Sequence, residues 1–171
     1  MWGQSIVLKK KICMLGMYSV GKTSLVRRFV HSLYEDRYLS TVGVKIDKKL
    51  VEIDGQPMEF LLWDIAGEDD HFSVPSSYLR GTSGCLLVID GTRKATFDRA
   101  LDLWRRTEDA IGSIPFVAVL NKADLPDQWD ISPQDLAERD RLNWTFIKTS
   151  AKWGTGVEEA FTTLGQKILH P

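Results

Sequence analysis

The stretch Gly16-Met17-Tyr18-Ser19-Val20-Gly21-Lys22-Thr23 follows an apolar run and opens an amphipathic segment. It has the form G-x-x-x-x-G-K-[ST]. Its glycines let the backbone fold tightly, so that successive N–H groups point into one concavity of phosphate size. A helix beginning there adds its partial positive end. Lys22 supplies a mobile cation for β- and γ-phosphates, and the Thr23 hydroxyl a hard oxygen ligand for Mg²⁺. The context is the one this pattern needs. Lys-Ile-Cys-Met-Leu at 11–15 reads as a buried strand, and Leu25, Val26, Phe29 and Leu33 recur at helical spacing. A nucleoside triphosphate is the first ligand this predicts.

The 171 residues fit one domain spanning 1–171, and 43% apolar residues suffice for a single core. With 22 basic against 23 acidic residues, no polyanion-binding surface is indicated, so nucleic acid is not an expected partner. The six tryptophans are scattered and form no stacking platform. Cys13 and Cys85 each lie inside an apolar run and read as core thiols rather than a disulfide. No apolar stretch approaches the ~18–20 residues of a membrane span. Trp2 stands where myristoylation needs glycine, and the end Ile-Leu-His-Pro171 carries no prenylatable cysteine. The expectation is a cytoplasmic protein, with membrane association only through a lipidated tail beyond this sequence.

Coarsely, a strand is predicted at 8–16, a helix at 22–33 and a polar loop through about 41. Strand-like runs at 42–53 and 57–63 flank Asp54-Gly55, a hairpin signal. After an irregular stretch at 65–82, Cys85–Ile89 is a continuous apolar strand, and Phe97, Leu101, Trp104 and Ile111 mark a helix. Residues 115–120 read as a buried strand, 132–141 as a short polar helix and 144–148 as a last strand. A final helix carries Val157, Phe161, Leu164 and Ile168 on one face. Strands without polar alternation, separated by amphipathic helices, imply an α/β fold: a mostly parallel six-stranded sheet with one antiparallel edge strand and helices on both faces. In such sheets ligands bind beyond the carboxyl ends of the strands.

The other chemically loaded residues do follow strands. Trp63-Asp64-Ile65-Ala66-Gly67-Glu68 closes one, placing Asp64 to hold Mg²⁺ through water and Gly67 to offer its N–H to a γ-phosphate. Asn121-Lys122-Ala123-Asp124 closes another. The Asp124 carboxylate can accept from the N1–H and 2-amino group of guanine, whereas adenine lacks both donors and leaves the carboxylate unpaired. Ser150-Ala151-Lys152 follows the last strand, where the Ala151 N–H can meet guanine O6.

In this order the motifs resemble the Ras superfamily of small GTPases, most closely its Rab branch. The resemblance covers essentially the whole chain, through all five of the family's sequence boxes. Thr41-Val-Gly-Val, the Trp63-Asp64 pair and Ser77-Tyr78-Leu-Arg-Gly81 carry the Rab likeness. The resemblance implies the three-layer P-loop NTPase architecture (a G domain) and a switch that hydrolyses GTP to GDP with Mg²⁺. It implies Mg²⁺ ligation by Thr23, Thr41 and Asp64, and reaction roles for Lys22, Thr41, Gly67 and Glu68. Nucleotide contacts are implied for Gly16, Tyr18, Ser19, Val20, Gly21, Lys22, Thr23 and Ser24, and for Asn121, Lys122, Asp124, Ser150, Ala151 and Lys152. Tyr34 takes the place of an aromatic ring against guanine, and Tyr38 that of a tyrosine closing over the phosphates. Two switch loops, about 34–46 and 64–82, then relax when the γ-phosphate leaves. Val42, Val44, Trp63, Ile65 and Phe72 are expected to form the surface read by effectors, an exchange factor or a GTPase activator. Ile46 stands where Rabs usually carry an aromatic residue.

Two positions depart from the family. Glu68 replaces the usual glutamine, and an ionised carboxylate accepts hydrogen bonds where an amide both donates and accepts. Tyr18 places a bulky ring where an arginine finger enters in the Ras case. Slow hydrolysis is the resulting expectation. The alternative is a nucleotide-binding interaction module with negligible turnover, and a P-loop kinase is a third reading. His31, His71 and His170 are expected at the surface, and no residue spacing suggests a zinc site or a Ser-His-Asp hydrolase.

Overall fold

Asp54 and Gly55 both take positive φ, 49° and 82°. That is the two-residue turn whose twist matches antiparallel strands, and it joins β2 (Val44–Ile53) to β3 (Gln56–Ile65). The register runs from Ile53↔Gln56 to Val44↔Ile65. The remaining strands, β1 (Leu8–Gly16), β4 (Gly84–Asp90), β5 (Phe116–Asn121) and β6 (Phe146–Lys148), pair in parallel. The computed structural model describes residues 5–36 and 41–171, and these form one six-stranded sheet in the order β2-β3-β1-β4-β5-β6. The expected architecture is the observed one. None of the helices among the described residues is long and apolar enough to cross a membrane.

Alternation along β1 splits the core in two. Ile12 and Met14 face α1 (Lys22–His31) and α5 (Val157–Leu169), whereas Cys13 and Leu15 face α3 (Lys94–Ile111). α2 (Ser76–Leu79) and α4 (Pro133–Asp140) lie on that second face too, contributing Leu79 and Leu136. Both cysteines are buried free thiols. On the first face Phe29 stacks on Phe161 with ring centroids 3.8 Å apart. On the second, Phe116 lies between Trp104 and Trp144, at 4.0 and 5.2 Å. Phe161 is the only large ring α5 offers to α1. Phe161→Ala is expected to cost about 3–5 kcal/mol, measured as a lowered denaturant midpoint with unchanged slope.

Some boundaries differ from expectation for local reasons. The first helix ends at His31 rather than 33, because Ser32 turns left-handed (φ 55°) and caps the carbonyls of Arg27 and Arg28. Leu33 consequently lies outside the apolar stripe and is exposed. Within the stretch expected to be irregular, Ser76–Leu79 forms one helical turn. Leu101 and Ile111 are only half-buried on α3, whose buried stripe runs through Phe97, Ala100, Leu103, Trp104 and Thr107. Trp144 is buried but precedes the last strand.

Candidate functional site

The carboxyl ends of β1, β3, β4 and β5 deliver Gly16, Asp64, Asp90 and Asn121 to one edge of the sheet. From Gly16 the chain wraps tightly into α1. A Cβ on Gly16 would sit 2.5 Å from the Val88 carbonyl oxygen, and Gly21, at φ 101°, packs its Cα against the Asn121 amide. Ser19 also takes positive φ, 64°. Inside the loop, Lys22 Nζ donates to the carbonyls of Met17 (3.2 Å) and Gly16 (3.5 Å). Burial lowers its pKa to about 8, against the pull of Asp64 and Glu68. A buried ammonium whose hydrogen bonds go to neutral carbonyls is suited to pairing with an anion. The cavity it serves is lined by Tyr18, Ser19, Gly21, Thr23, Ser24, Thr41 and Gly67, among others.

At the cavity floor, Thr23 Oγ1 donates to Asp64 Oδ2 at 2.7 Å and lies 2.6 Å from Thr41 Oγ1, which is 3.4 Å from the same oxygen. Burial raises the Asp64 pKa, while Thr23, Lys22 and Thr41 oppose the rise. The other carboxylate oxygen, Oδ1, is buried with no partner among the described residues. Two hydroxyls and one carboxylate, one of whose oxygens is buried with no partner among the described residues, fit a small hard cation that keeps several waters, as Mg²⁺ does. Among the described residues no cluster of three or more His, Cys, Asp or Glu side chains suits a softer metal.

A second cavity adjoins the first and is lined by Tyr34, Asn121, Lys122, Asp124, Leu125, Ala151 and Lys152, among others. Ser150 Oγ donates to Asp124 Oδ1 at 2.8 Å and accepts from the Trp153 N–H, so the acceptor carboxylate is held in orientation. Asn121 is a brace: its Nδ2 donates to Val20 O and its Oδ1 accepts from Thr149, both at 3.0 Å. Lys122 reaches Ser19 O at 3.0 Å and Asp90 at 2.8 Å. Burial pushes the Asp90 carboxyl up, but the Lys122 and Thr92 hydrogen bonds outweigh it and hold the pKa below the ordinary value.

Tyr38 lies outside the described residues. Tyr18 is half-exposed at the rim of the phosphate cavity, its carbonyl accepting from Arg93 at 2.7 Å. Ile65, expected on the partner surface, is fully buried in the second core, since β3 alternation turns it inward beside Leu79. Val42 is exposed, while Val44, Trp63 and Phe72 are half-buried. His31, His71 and His170 are exposed, as expected.

Glu68 is the largest departure. Its backbone lies beside the phosphate loop: Glu68 N–H donates to Gly16 O (3.1 Å) and Tyr18 N–H to Glu68 O (2.9 Å). A Cβ on Gly67 would lie 2.6 Å from Tyr18 Cα, so only glycine permits this approach. The Glu68 side chain, however, turns away from the phosphate cavity and is buried against Arg106 of α3, neither swinging into solvent nor lining the cavity. Arg106, Arg93, Asp90, Thr149 and Arg28, whose Nε donates to Ala151 O at 2.7 Å, were not foreseen as site residues. Asp102 and Arg106 read locally as an ordinary i,i+4 surface pair, and no local signal points Arg106 at residue 68.

A glycine-rich loop, a buried lysine, a hydroxyl–carboxylate cation site and an oriented carboxylate beyond a parallel sheet define a P-loop nucleotide-binding protein. The sequence matches the Ras family over residues 11–170. It is 34% identical over 163 residues to Ras-related protein Rab-1 of Theileria parva, covering 92% of this chain and 73% of that protein. It is 35% identical over 164 residues to Ras-related protein RABA2d of Arabidopsis thaliana, covering 94% and 75%. To the GTP-binding protein YPT1 of Saccharomyces cerevisiae it is 34% identical over 164 residues, covering 92% and 78%. The chain belongs to the Ras family and is Rab-like: a GTPase that binds GTP and GDP with Mg²⁺.

Proposed function

We propose that residues 1–171 act as one guanine-nucleotide switch with slow intrinsic hydrolysis. The observation that carries the slow rate is the Glu68 carboxylate, held on Arg106 and away from the cavity where water attacks. In this reading Asp124 accepts from the guanine edge while Tyr34 lies against the base. Thr23, Thr41 and Asp64 would hold Mg²⁺, which when bound would offset the charge of the phosphates. Lys22 and the loop N–H groups between Tyr18 and Ser24 bind the phosphates, and Gly67 offers its N–H to the γ-phosphate. Thr41 and Gly67 thereby tie two chain segments to one phosphate group, and its loss frees both.

Effectors and regulators meet the protein at the surface around Val42, which is 93% exposed, and at Ile46 and Trp63 beside it. Ile46 in place of an aromatic residue favours partners with a smaller apolar contact. Glu68→Gln tests turnover. A neutral amide pairs less strongly with Arg106 and can both donate and accept at the attacking water. Single-turnover hydrolysis of bound GTP is expected to quicken about tenfold or more. An unchanged rate removes the carboxylate as the limiting defect and favours an interaction module with negligible turnover.

A further inference from the structure

Glu68 and Arg106 share two parallel hydrogen bonds, Nη1 to Oε1 at 3.1 Å and Nη2 to Oε2 at 2.6 Å. Fork-to-fork pairing of this kind is geometrically selective. The Glu68 side chain is 4% exposed and that of Arg106 45%. Asp102, one turn earlier on α3, orients the guanidinium through Nε at 3.0 Å, and the Val74 N–H donates to Glu68 Oε1 at 3.0 Å. The backbone of residue 68 is pinned to the phosphate loop at both its N–H and its carbonyl. Only side-chain torsions therefore decide where its charge points. One residue earlier, Gly67 lines the phosphate cavity.

We infer that Arg106 is a positioning residue that sets the preference between GTP and GDP, by holding the Glu68 carboxylate on α3 and off the γ-phosphate position. The inference rests on the guanine-nucleotide reading above. Without Arg106 the buried carboxylate keeps the Val74 N–H but has lost its counter-charge, which is unfavourable and drives it from its pocket. A side chain anchored beside the cavity then carries its charge toward the phosphates. GDP has nothing at the γ position and is unaffected. GTP meets a like charge at short range, expected to weaken it roughly tenfold.

The test titrates the full chain, freed of nucleotide and supplied with Mg²⁺, with fluorescent GDP and a non-hydrolysable GTP analogue. Arg106→Ala is expected to lower the GTP-to-GDP affinity ratio roughly tenfold, with GDP affinity within about twofold of wild type. Arg106→Gln serves if the alanine variant does not fold, with the same sign and a smaller shift. Arg105→Ala removes an exposed neighbouring charge and keeps the ratio. Arg106→Ala combined with Glu68→Gln restores it, which a merely structural brace cannot do. Equal weakening of both nucleotides, an unchanged ratio, or failure of the double variant to restore it overturns the inference. A wild type that binds neither guanine nucleotide instead overturns the underlying reading.

Discussion

Lys22→Ala is expected to reduce affinity for GTP and GDP by roughly 30- to 3,000-fold while the nucleotide-free protein stays folded. Lys22 is 6% exposed and makes its hydrogen bonds to the Gly16 and Met17 carbonyls. Truncating one member of a buried charge pair costs about 2–5 kcal/mol, and each 1.4 kcal/mol is a factor of ten. The loss arises on binding alone. Burial already disfavours the ammonium, lowering its pKa to about 8 against the pull of Asp64 and Glu68, so the fold does not rely on that charge. Isothermal titration with both nucleotides, beside a thermal melt without them, separates the two effects. A variant that binds normally would mean that the loop N–H groups carry phosphate recognition unaided.

Asp124→Asn is expected to weaken guanine nucleotides by about 10³-fold and to bring xanthine nucleotides above them. A fully built site rejects a mismatched ligand by up to about 10⁴–10⁵-fold, because buried polar groups lose their partners, and the near-isosteric change here gives part of that range. The substitution is nearly isosteric, and the Asn oxygen can still accept from Ser150, which lies 2.8 Å from Asp124 Oδ1. The new amide NH₂ then occupies the place of the second carboxylate oxygen. It opposes the guanine 2-amino group donor to donor, but donates to the 2-oxo group of xanthine. Competition of labelled GDP against GDP, XDP and ADP measures the exchange. ADP retained as well as GDP by wild type would end the guanine assignment.

The fold was legible because its signals are local. The Asp54-Gly55 turn, the unbroken apolar β4 and the glycine spacing of the phosphate loop each act over a few residues. The residues proposed for the metal and the base could be named for a related reason, since Asp64, Asn121 and Asp124 stand at or just past strand ends and the sheet gathers those ends by construction. What stayed hidden spans long intervals. Arg28 and Ala151 are 123 residues apart, and Glu68 and Arg106 are 38 apart. Pairing between distant charges leaves no periodicity in a sequence. The departure at residue 68 was visible as a change of chemistry, and its direction was not: a carboxylate near phosphate is repulsive until a guanidinium claims it. Ile65 misled because a residue bordering a loop still obeys the alternation of its strand.

Asn121 and Lys122 fasten the loop proposed to hold the base to the carbonyls of Val20 and Ser19 in the loop proposed to hold the phosphates. The two receptors for one ligand therefore stand at a fixed spacing. Once either end of a nucleotide is seated, the other is confined near its own pocket at an effective concentration of roughly millimolar or above. Escape requires both ends to be loose in the same moment, and each end re-seats while the other holds. Guanosine alone and inorganic triphosphate alone should each dissociate quickly, and the intact nucleotide far more slowly than either. A protein made this way keeps its nucleotide through many encounters, and a partner that loosens either end shortens the residence of the whole.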